Sequence, residues 1–227
     1  MTVASPGATF DDAIAVLERH FGYSRFRAPQ ERVVRSILSG IDTLGVLPTG
    51  AGKSVCFQVP AMLTGGVTVV ISPLLALMQD QVDSAQRRGL PARSLNSLQS
   101  KAEQAEVRAE LAAGEVKLLY VAPERGKRLI DELAAANASV RLFAVDEAHC
   151  IAEWGPDFRP SYLSLGKFRA ALGDPQTVAL TGSATPEVRS LIGRILRLGE
   201  RGGYHLHLAS FDRRNLWFGV IQVKDDR

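Results

Sequence analysis

Three observations predict an α/β domain with a mostly parallel sheet and helices on both faces. Val67–Ile71, Lys117–Val121 and Val140–Val145 are short apolar runs with little polar alternation, the pattern of strands buried on two sides. Segments with helical spacing lie between them, so strands and helices alternate along the chain. A further apolar run, Thr43 to Leu47, leads into Leu47-Pro48-Thr49-Gly50-Ala51-Gly52-Lys53-Ser54 and then into a helix-compatible run, Lys53 to Leu63. Strand, glycine turn, Lys-Ser and helix in that order form the layout of a phosphate-binding loop.

The remaining elements follow in order. Residues 1–9 are small and polar and are expected to be disordered. Asp11 to His20 carries Ile14, Leu17 and Phe21 on one helical face. Pro29 suits the first turn of a second helix, with Val33, Val34, Ile37 and Leu38 inward and Gly40 beyond its end. After Ile71, Ser72 is expected to cap a helix with Pro73 at its first position. Ala92–Asn96 reads as a strand, and Lys101–Ala113 as a helix ended by Gly114. A helix to about Ala136 follows Ala122-Pro123-Glu124-Arg125. Gln176–Leu180 is a strand, and Thr185-Pro186 starts a helix running to Leu198. Tyr204–Leu208 and Leu216–Val223 read as late strands. No internal repeat or long linker interrupts the pattern, which predicts one domain over residues 10–220.

Composition allows this fold and excludes little. The 227 residues can bury a sizeable core, and 46% hydrophobic with 22% charged residues is ordinary for a globular chain. A net charge of +3 permits a polyanionic partner without demanding one. Cys56 and Cys150 are far apart, which predicts two buried thiols rather than a disulfide, and no Cys/His spacing suggests zinc. His205 and His207 share a strand face, a pair that without other ligands reads as surface. No basic-then-apolar leader precedes residue 10, and Ser72-Pro73 breaks the longest apolar run, Val67 to Met78, so no spanning helix is expected.

The loop octet predicts nucleotide chemistry. Small residues let backbone N–H groups turn toward phosphate oxygens, and the helix that follows offers its positive end. Thr49, Gly50, Ala51 and Gly52 form the cradle; Lys53 would reach the β- and γ-phosphates, and Ser54 would ligate Mg²⁺. Leu47 stands where the strict pattern has glycine, but that position ends the strand and leaves the inner turn intact. Val140–Val145 runs into Asp146-Glu147-Ala148-His149. An acidic pair at a strand's end, downstream of a phosphate loop, is where a Mg²⁺-linked aspartate belongs. Asp146 would hold the metal and Glu147 would orient and polarise the attacking water. Gln30 in a first helical turn offers an amide suited to an adenine edge, although a surface glutamine fits the spacing equally. Thr181 and Ser183 end a strand beside this site. In open α/β sheets the carboxyl edge of the strands is where ligands bind.

Together these residues resemble the RecQ family of DNA helicases. The resemblance runs from Phe21 to Asn215 and rests on Phe21-Gly22-Tyr23, Phe26-Arg27 and Gln30, the Thr-Gly-Ala-Gly-Lys-Ser loop, Leu95-Asn96-Ser97 and Tyr120 to Arg125. It rests above all on Asp146-Glu147-Ala148-His149-Cys150-Ile151 continuing into Trp154-Gly155, Asp157-Phe158-Arg159-Pro160 and Tyr162. The resemblance implies the first RecA-like, phosphate-loop NTPase domain of a superfamily 2 helicase. It implies ATP and Mg²⁺ as cofactors, and 3′-to-5′ movement on single-stranded DNA and duplex junctions. Recombination and repair would be its setting, in the bacterial cytosol. Tyr23, Arg27 and Gln30 then correspond to the adenine motif, Lys53, Asp146 and Glu147 to the catalytic set, and Ser54 with Asp146 to the metal pair. Trp154, Phe158 and Arg159 fall in the family's aromatic-rich loop, where aromatics stack on bases and arginine meets phosphate. Ser72-Pro73 and Asn96-Ser97 correspond to backbone-gripping DNA motifs, and His149, Thr181, Ser183 and Thr185 to the coupling set.

The sequence also departs from the family. Pro156 replaces a usual histidine, and Ala152-Glu153 replaces Ser-Gln, which bears on coupling of DNA to the ATP site. The second RecA-like domain, with its arginine finger, has no counterpart here, and residues 221–227 read as the start of an interdomain linker. The expectation is an ATP-binding half that does not unwind DNA alone. A binding module without turnover, or an RNA-directed helicase of the same superfamily, are the alternatives.

Overall fold

The computed structural model describes residues 8–152 and 160–210, together with Gly219. Trp154, Phe158 and Arg159, the departures at Glu153 and Pro156, and the expected strand Leu216–Val223 lie outside the described residues. The described residues form a seven-stranded sheet: β1 (Asp42–Val46), β2 (Val67–Ile71), β3 (Ala92–Leu95), β4 (Leu118–Val121), β5 (Val140–Val145), β6 (Gln176–Thr181) and β7 (Tyr204–Leu208). Their order is β3-β4-β2-β5-β6-β1-β7, and every neighbouring pair is parallel. The helices are α1 (Phe10–Phe21), α2 (Ala28–Leu38), α3 (Val55–Leu63), α4 (Leu75–Arg87), α5 (Lys101–Ala112), α6 (Gly126–Ala135), α7 (Leu165–Ala171) and α8 (Pro186–Ile195).

Strand periodicity divides the core into two layers. Successive side chains on a strand point to opposite faces. Val70, Leu142, Ala144, Val178 and Leu180 pack with Val33 and Ile37 of α2, Phe57 of α3, and Met78 and Val82 of α4. Their neighbours Val69, Ile71, Phe143, Val145 and Ala179 pack with Val107 of α5, Leu129 of α6, Phe168 of α7 and Ile192 of α8. The rings of Phe143 and Phe168 meet edge to face, with centroids 5.6 Å apart and an interplanar angle of 88°. Such a contact is worth about 0.5–1.5 kcal/mol beyond burial. α1 forms an outer layer, laying Ala13 and Leu17 on Val34 and Val59.

Several element ends differ from the sequence reading. Thr9, expected in a disordered leader, is the N-cap of α1 in a reciprocal box with Asp12. Ser72 does not cap a helix. It is fully buried at the end of β2, and α4 begins at Leu75 behind Leu74 with no side-chain cap. The parallel sheet demands one more residue of extended chain there, because the Ser72 amide still donates to the Val121 carbonyl at 3.1 Å. α8 stops at Ile195 rather than Leu198, where Arg197 takes a positive φ of 56°. α7 has no clear apolar period in seven residues and was not expected.

α7 delivers Arg169, a fully buried cation. Its Nη2 donates to Asp42 Oδ2 at 2.7 Å, and its other nitrogens donate to the carbonyls of Pro175, Leu196 and Arg197. Asp42 Oδ1 accepts the Thr177 amide at 2.9 Å. One ion pair thus joins β1, β6, α7 and the end of α8. His205 is exposed and His207 half-buried on the edge strand β7, and both meet α2: Ser36 Oγ lies 2.8 Å from Nδ1 of the first and 2.8 Å from Nε2 of the second. Ser36 has one hydroxyl hydrogen, so with both rings neutral one ring accepts and the other donates.

Two outcomes are expected from these contacts. Arg169→Met leaves Asp42 buried without its partner and should lower unfolding stability by about 3–5 kcal/mol in urea titrations. Burial, then His205 and Arg32, hold His207 below the usual imidazole range. The unfolded chain therefore binds a proton that the folded chain resists, and stability is lost as pH falls through the ordinary histidine value. The melting temperature should drop on acidification from pH 7.5 to about 5.5, less so in His207→Gln.

Candidate active site

The phosphate loop owes its shape to two glycines. Gly50 and Gly52 have φ of 80° and 75°, which side chains with a Cβ rarely adopt. Leu47, the departure from the strict motif, is fully buried in the core and its amide donates to the Thr181 carbonyl at 2.9 Å. A larger residue than glycine is therefore a packing group here, and the turn proper begins after it. α3 starts at Val55 rather than Lys53, because Lys53 and Ser54 form a turn and the carbonyls of Gly52, Lys53 and Ser54 accept the amides of Val55, Cys56 and Phe57.

The expected adenine motif grips this loop. Gln30 Nε2 donates to the carbonyls of Ala51 at 2.8 Å and Gly52 at 3.2 Å, and its Oε1 accepts the Arg27 amide at 2.9 Å. Arg27 Nη1 donates to the Gly50 carbonyl at 2.7 Å. Gln30 is buried, so it is no surface glutamine, and both ends of its amide are engaged within the protein. Tyr23 is 61% exposed and shares with Arg27, Gln30, Gly50, Gly52 and Ser54 the wall of a cavity of about 280 Å³.

Across the loop, the end of β5 brings the acidic pair. Lys53 Nζ lies 3.3 Å from Glu147 Oε1, and His149 Nδ1 lies 3.3 Å from Glu147 Oε2. Glu147 sits in the left-handed region at φ 46°, which turns its side chain off the strand line and toward Lys53. His149 Nδ1 is also 2.9 Å from Thr181 Oγ1, whose hydroxyl donates to the Ser183 carbonyl at 3.0 Å. With that hydrogen used, Nδ1 of His149 must carry a proton and donate. The His149 hydrogen bond holds the Glu147 carboxyl below the usual carboxylate range, against burial and with help from Lys53. Gly182 completes the cluster, since a Cβ there would stand 3.5 Å from Thr49 Oγ1 and 3.6 Å from Lys53 Nζ.

Asp146 is different in kind. It is buried, and burial pushes its carboxyl above the usual range. Its Oδ1 accepts the Glu147 amide at 3.0 Å and its Oδ2 accepts Gln81 Nε2 at 2.8 Å. No Lys or Arg pairs with it among the described residues. A buried carboxylate short of positive charge, beside a lysine-bearing phosphate loop, fits a hydrated Mg²⁺ held jointly with Ser54. The thiol of Cys56, the second residue of α3, is pushed up to about 12 by burial; Cys150 is buried too, and neither forms a disulfide among the described residues.

The expected DNA segments sit along the same edge but apart from this cluster. Ser72 and Pro73 are buried, so the Ser72 hydroxyl does not face solvent. Asn96 is buried as well, where its Oδ1 accepts the Leu98 amide, while Ser97 and Leu98 are exposed. Thr185 is the N-cap of α8, accepting from the Val188 amide. Unforeseen residues link these segments: Gln104 Nε2 donates to the Gln99 carbonyl, and its Oε1 accepts from Arg128. Buried Glu132 accepts from Arg108 and Arg125. Glutamines and glutamate in amphipathic helices carry no sequence signal that separates these roles from solvated positions.

Fold and site define a phosphate-loop nucleotide-binding domain of the RecA-like kind. The family described as DEAD/DEAH box helicase matches residues 27–192, and the chain belongs to that family. Within it, the chain is 44% identical over 204 residues to the ATP-dependent DNA helicase RecQ of Haemophilus influenzae, covering 90% of this chain and 32% of that protein. It is 40% identical over 212 residues to the Bacillus subtilis RecQ helicase, covering 92% and 35%. These matches bear out the RecQ resemblance, and the chain spans about a third of the length of these relatives. Among solved structures, the DUF1998 helicase MrfA bound to DNA superposes with a TM-score of 0.71 at 14% identity, over 92% of this chain and 31% of that one. The helicase domain of Pyrococcus furiosus Hef gives 0.59 at 22% identity, over 82% and 39%. At such identities the likeness is one of fold. No helix among the described residues is long and apolar enough to cross a membrane.

The loop geometry yields one expected outcome. Gly22 and Gly52 share a positive φ, 73° and 75°, but a Cβ on Gly22 meets nothing within 4 Å while one on Gly52 falls 2.6 Å from Gln30 Nε2. Gly52→Ala should therefore destabilise more than Gly22→Ala, each by about 1–3 kcal/mol. The excess should shrink in a Gln30→Ala background when the four variants are compared by denaturant unfolding.

Proposed function

We propose that this chain is the ATP-binding half of a RecQ-type DNA helicase. It binds ATP at Lys53 and the 49–54 loop, and with a second RecA-like domain it couples hydrolysis to 3′-to-5′ movement on single-stranded DNA and unwinding at duplex junctions. The observation that carries this reading is the ion pair between Lys53 and Glu147 beside the buried Asp146. It puts a phosphate-directed cation next to a carboxylate held ionised, and that carboxylate next to a proton-bearing histidine.

Each residue then has a physical task. Lys53 exchanges Glu147 for the terminal phosphates when ATP enters. Glu147, freed from the lysine, accepts a hydrogen bond from the attacking water and orients it. His149 holds the Glu147 carboxylate with a proton fixed on Nδ1 by Thr181, which ties the water-orienting group to the end of β6. Arg27 and Gln30 give up their bonds to the loop carbonyls when ATP enters and meet the base from the side of Tyr23. Ser54 and Asp146 would hold Mg²⁺, which supplies charge neutralisation on the β- and γ-phosphates.

DNA contact is proposed for Ser97, for the backbone at 72–74 and 96–97, and for Trp154, Phe158 and Arg159. A second domain is part of the proposal because the RecQ relatives are about three times as long as this chain and because phosphoryl transfer gains about 10³–10⁵ in rate from an arginine finger. Recombination and repair in the cytosol is the proposed setting.

Phosphate release from ATP, measured with and without single-stranded DNA, tests this. The chain should bind ATP and turn it over slowly, and Lys53→Ala should abolish both. Glu147→Gln should keep ATP binding and lose turnover by roughly 10²–10⁴. Strand separation by the 227-residue chain alone would overturn the requirement for a second domain, and equal turnover in Lys53→Ala would overturn the site.

A further inference from the structure

Gln81 lies in the middle of α4, on a helix that the sequence marks only as amphipathic. Its Nε2 donates to Asp146 Oδ2 at 2.8 Å, making it the side chain that orients this carboxylate. The other carboxylate oxygen is fixed by the Glu147 amide. A carboxylate only accepts, so the Gln81 amide nitrogen must face Asp146 and the amide oxygen must face away. That Oε1 is buried and has no hydrogen-bond partner among the described residues. Gln81 also lines the cavity shared with Gly52 and Ser54.

A buried amide oxygen without a donor costs free energy, and native structures seldom leave one so. The chemistry of the missing partner is constrained by its neighbours. It must be a donor, it must reach the cavity side of Gln81, and it must coexist with the anionic Asp146 and the phosphate loop. A water polarised by a divalent cation meets all three conditions, whereas a phosphate oxygen is an acceptor and fails the first.

We propose that Gln81 is a positioning residue for nucleotide-bound Mg²⁺: its N–H group aims Asp146 at the cation and its carbonyl accepts from a cation-bound water. This inference rests on the nucleotide site proposed above and adds a group outside the loop and the acidic pair. Groups one layer out from a metal typically change its affinity about 10–100-fold when removed. Gln81 thus sets how much Mg²⁺ the site needs, not how well the loop holds phosphate.

Equilibrium binding of a fluorescent ADP analogue to the full chain, titrated with MgCl₂, tests this. In Gln81→Met, which keeps the volume and removes both polar ends, the Mg²⁺ concentration at half-effect should rise about 10–100-fold. Affinity for the analogue in excess EDTA should stay at the wild-type value, which a merely structural defect would not spare. Should Gln81→Met fail to fold by thermal melting, Gln81→Asn keeps the amide one methylene short and should move the half-point the same way. An unchanged Mg²⁺ half-point in the folded variant overturns the role of Gln81 and leaves the nucleotide site standing. A wild-type chain whose analogue binding ignores Mg²⁺ overturns the cation assignment and with it the role of Gln81, and one that does not bind the analogue at all overturns the nucleotide site.

Discussion

Burial of a parallel sheet on both faces is the constraint on which the rest depends. From β1 to β6 each strand of this parallel sheet is followed by a helix that covers a face, and each crossover returns the chain to the same end; β7 is an exposed edge. The consequence is geometric. The residues after β1, β2, β3, β4, β5 and β6 all emerge at one edge, and these are the phosphate loop, 72–74, 96–99, 122–125, 146–149 and 181–185. No interaction among those segments is needed to gather them. A larger cavity of about 610 Å³ at the opposite edge, lined by Ile130, Leu133 and Arg201 among others, has no comparable convergence of motifs.

Within the gathered edge, charge is arranged in two unlike states. Glu147 is compensated twice, by Lys53 and His149, and the His149 bond holds its carboxyl low. Asp146, one residue earlier, is buried, accepts from the Gln81 and Glu147 amides and feels Lys53 only at a distance among the described residues, and burial pushes its carboxyl up. Neighbouring carboxylates set apart by environment take different tasks, one as an ionised acceptor and one as a ligand short of positive charge. The left-handed backbone at Glu147 ends the strand alternation directly after Asp146, and the Glu147 side chain reaches Lys53 and His149.

The expectations that failed did so where local rules met packing. Ser72-Pro73 has the chemistry of a helix start, but the ladder with β4 keeps Ser72 extended and buries it. His205 and His207 do lie on the exposed edge strand, as a pair in a period of two suggests, but α2 also brings Ser36 between them, which the spacing does not show. α7 is too short to show a period, and its importance rests on one arginine reaching Asp42 across 127 positions of sequence. Gln30 was ambiguous by spacing, and the tertiary fold decides that it is a buried clamp on the glycine loop.

The sequence by itself determined the strands, because a run buried on both faces must be apolar throughout, and it determined the loop and the acidic pair, because their chemistry resides in contiguous residues. It determined the family for the same reason: Thr-Gly-Ala-Gly-Lys-Ser and Asp-Glu-Ala-His are legible without any fold. What only the tertiary structure decided is which distant polar groups meet. Gln81 with Asp146, Arg169 with Asp42, and Gln104 with Arg125 and Arg128 are pairs of ordinary residues on ordinary elements. A polar side chain writes nothing into its own segment about its partner, since the hydrogen bond is satisfied as well by water until burial removes the water.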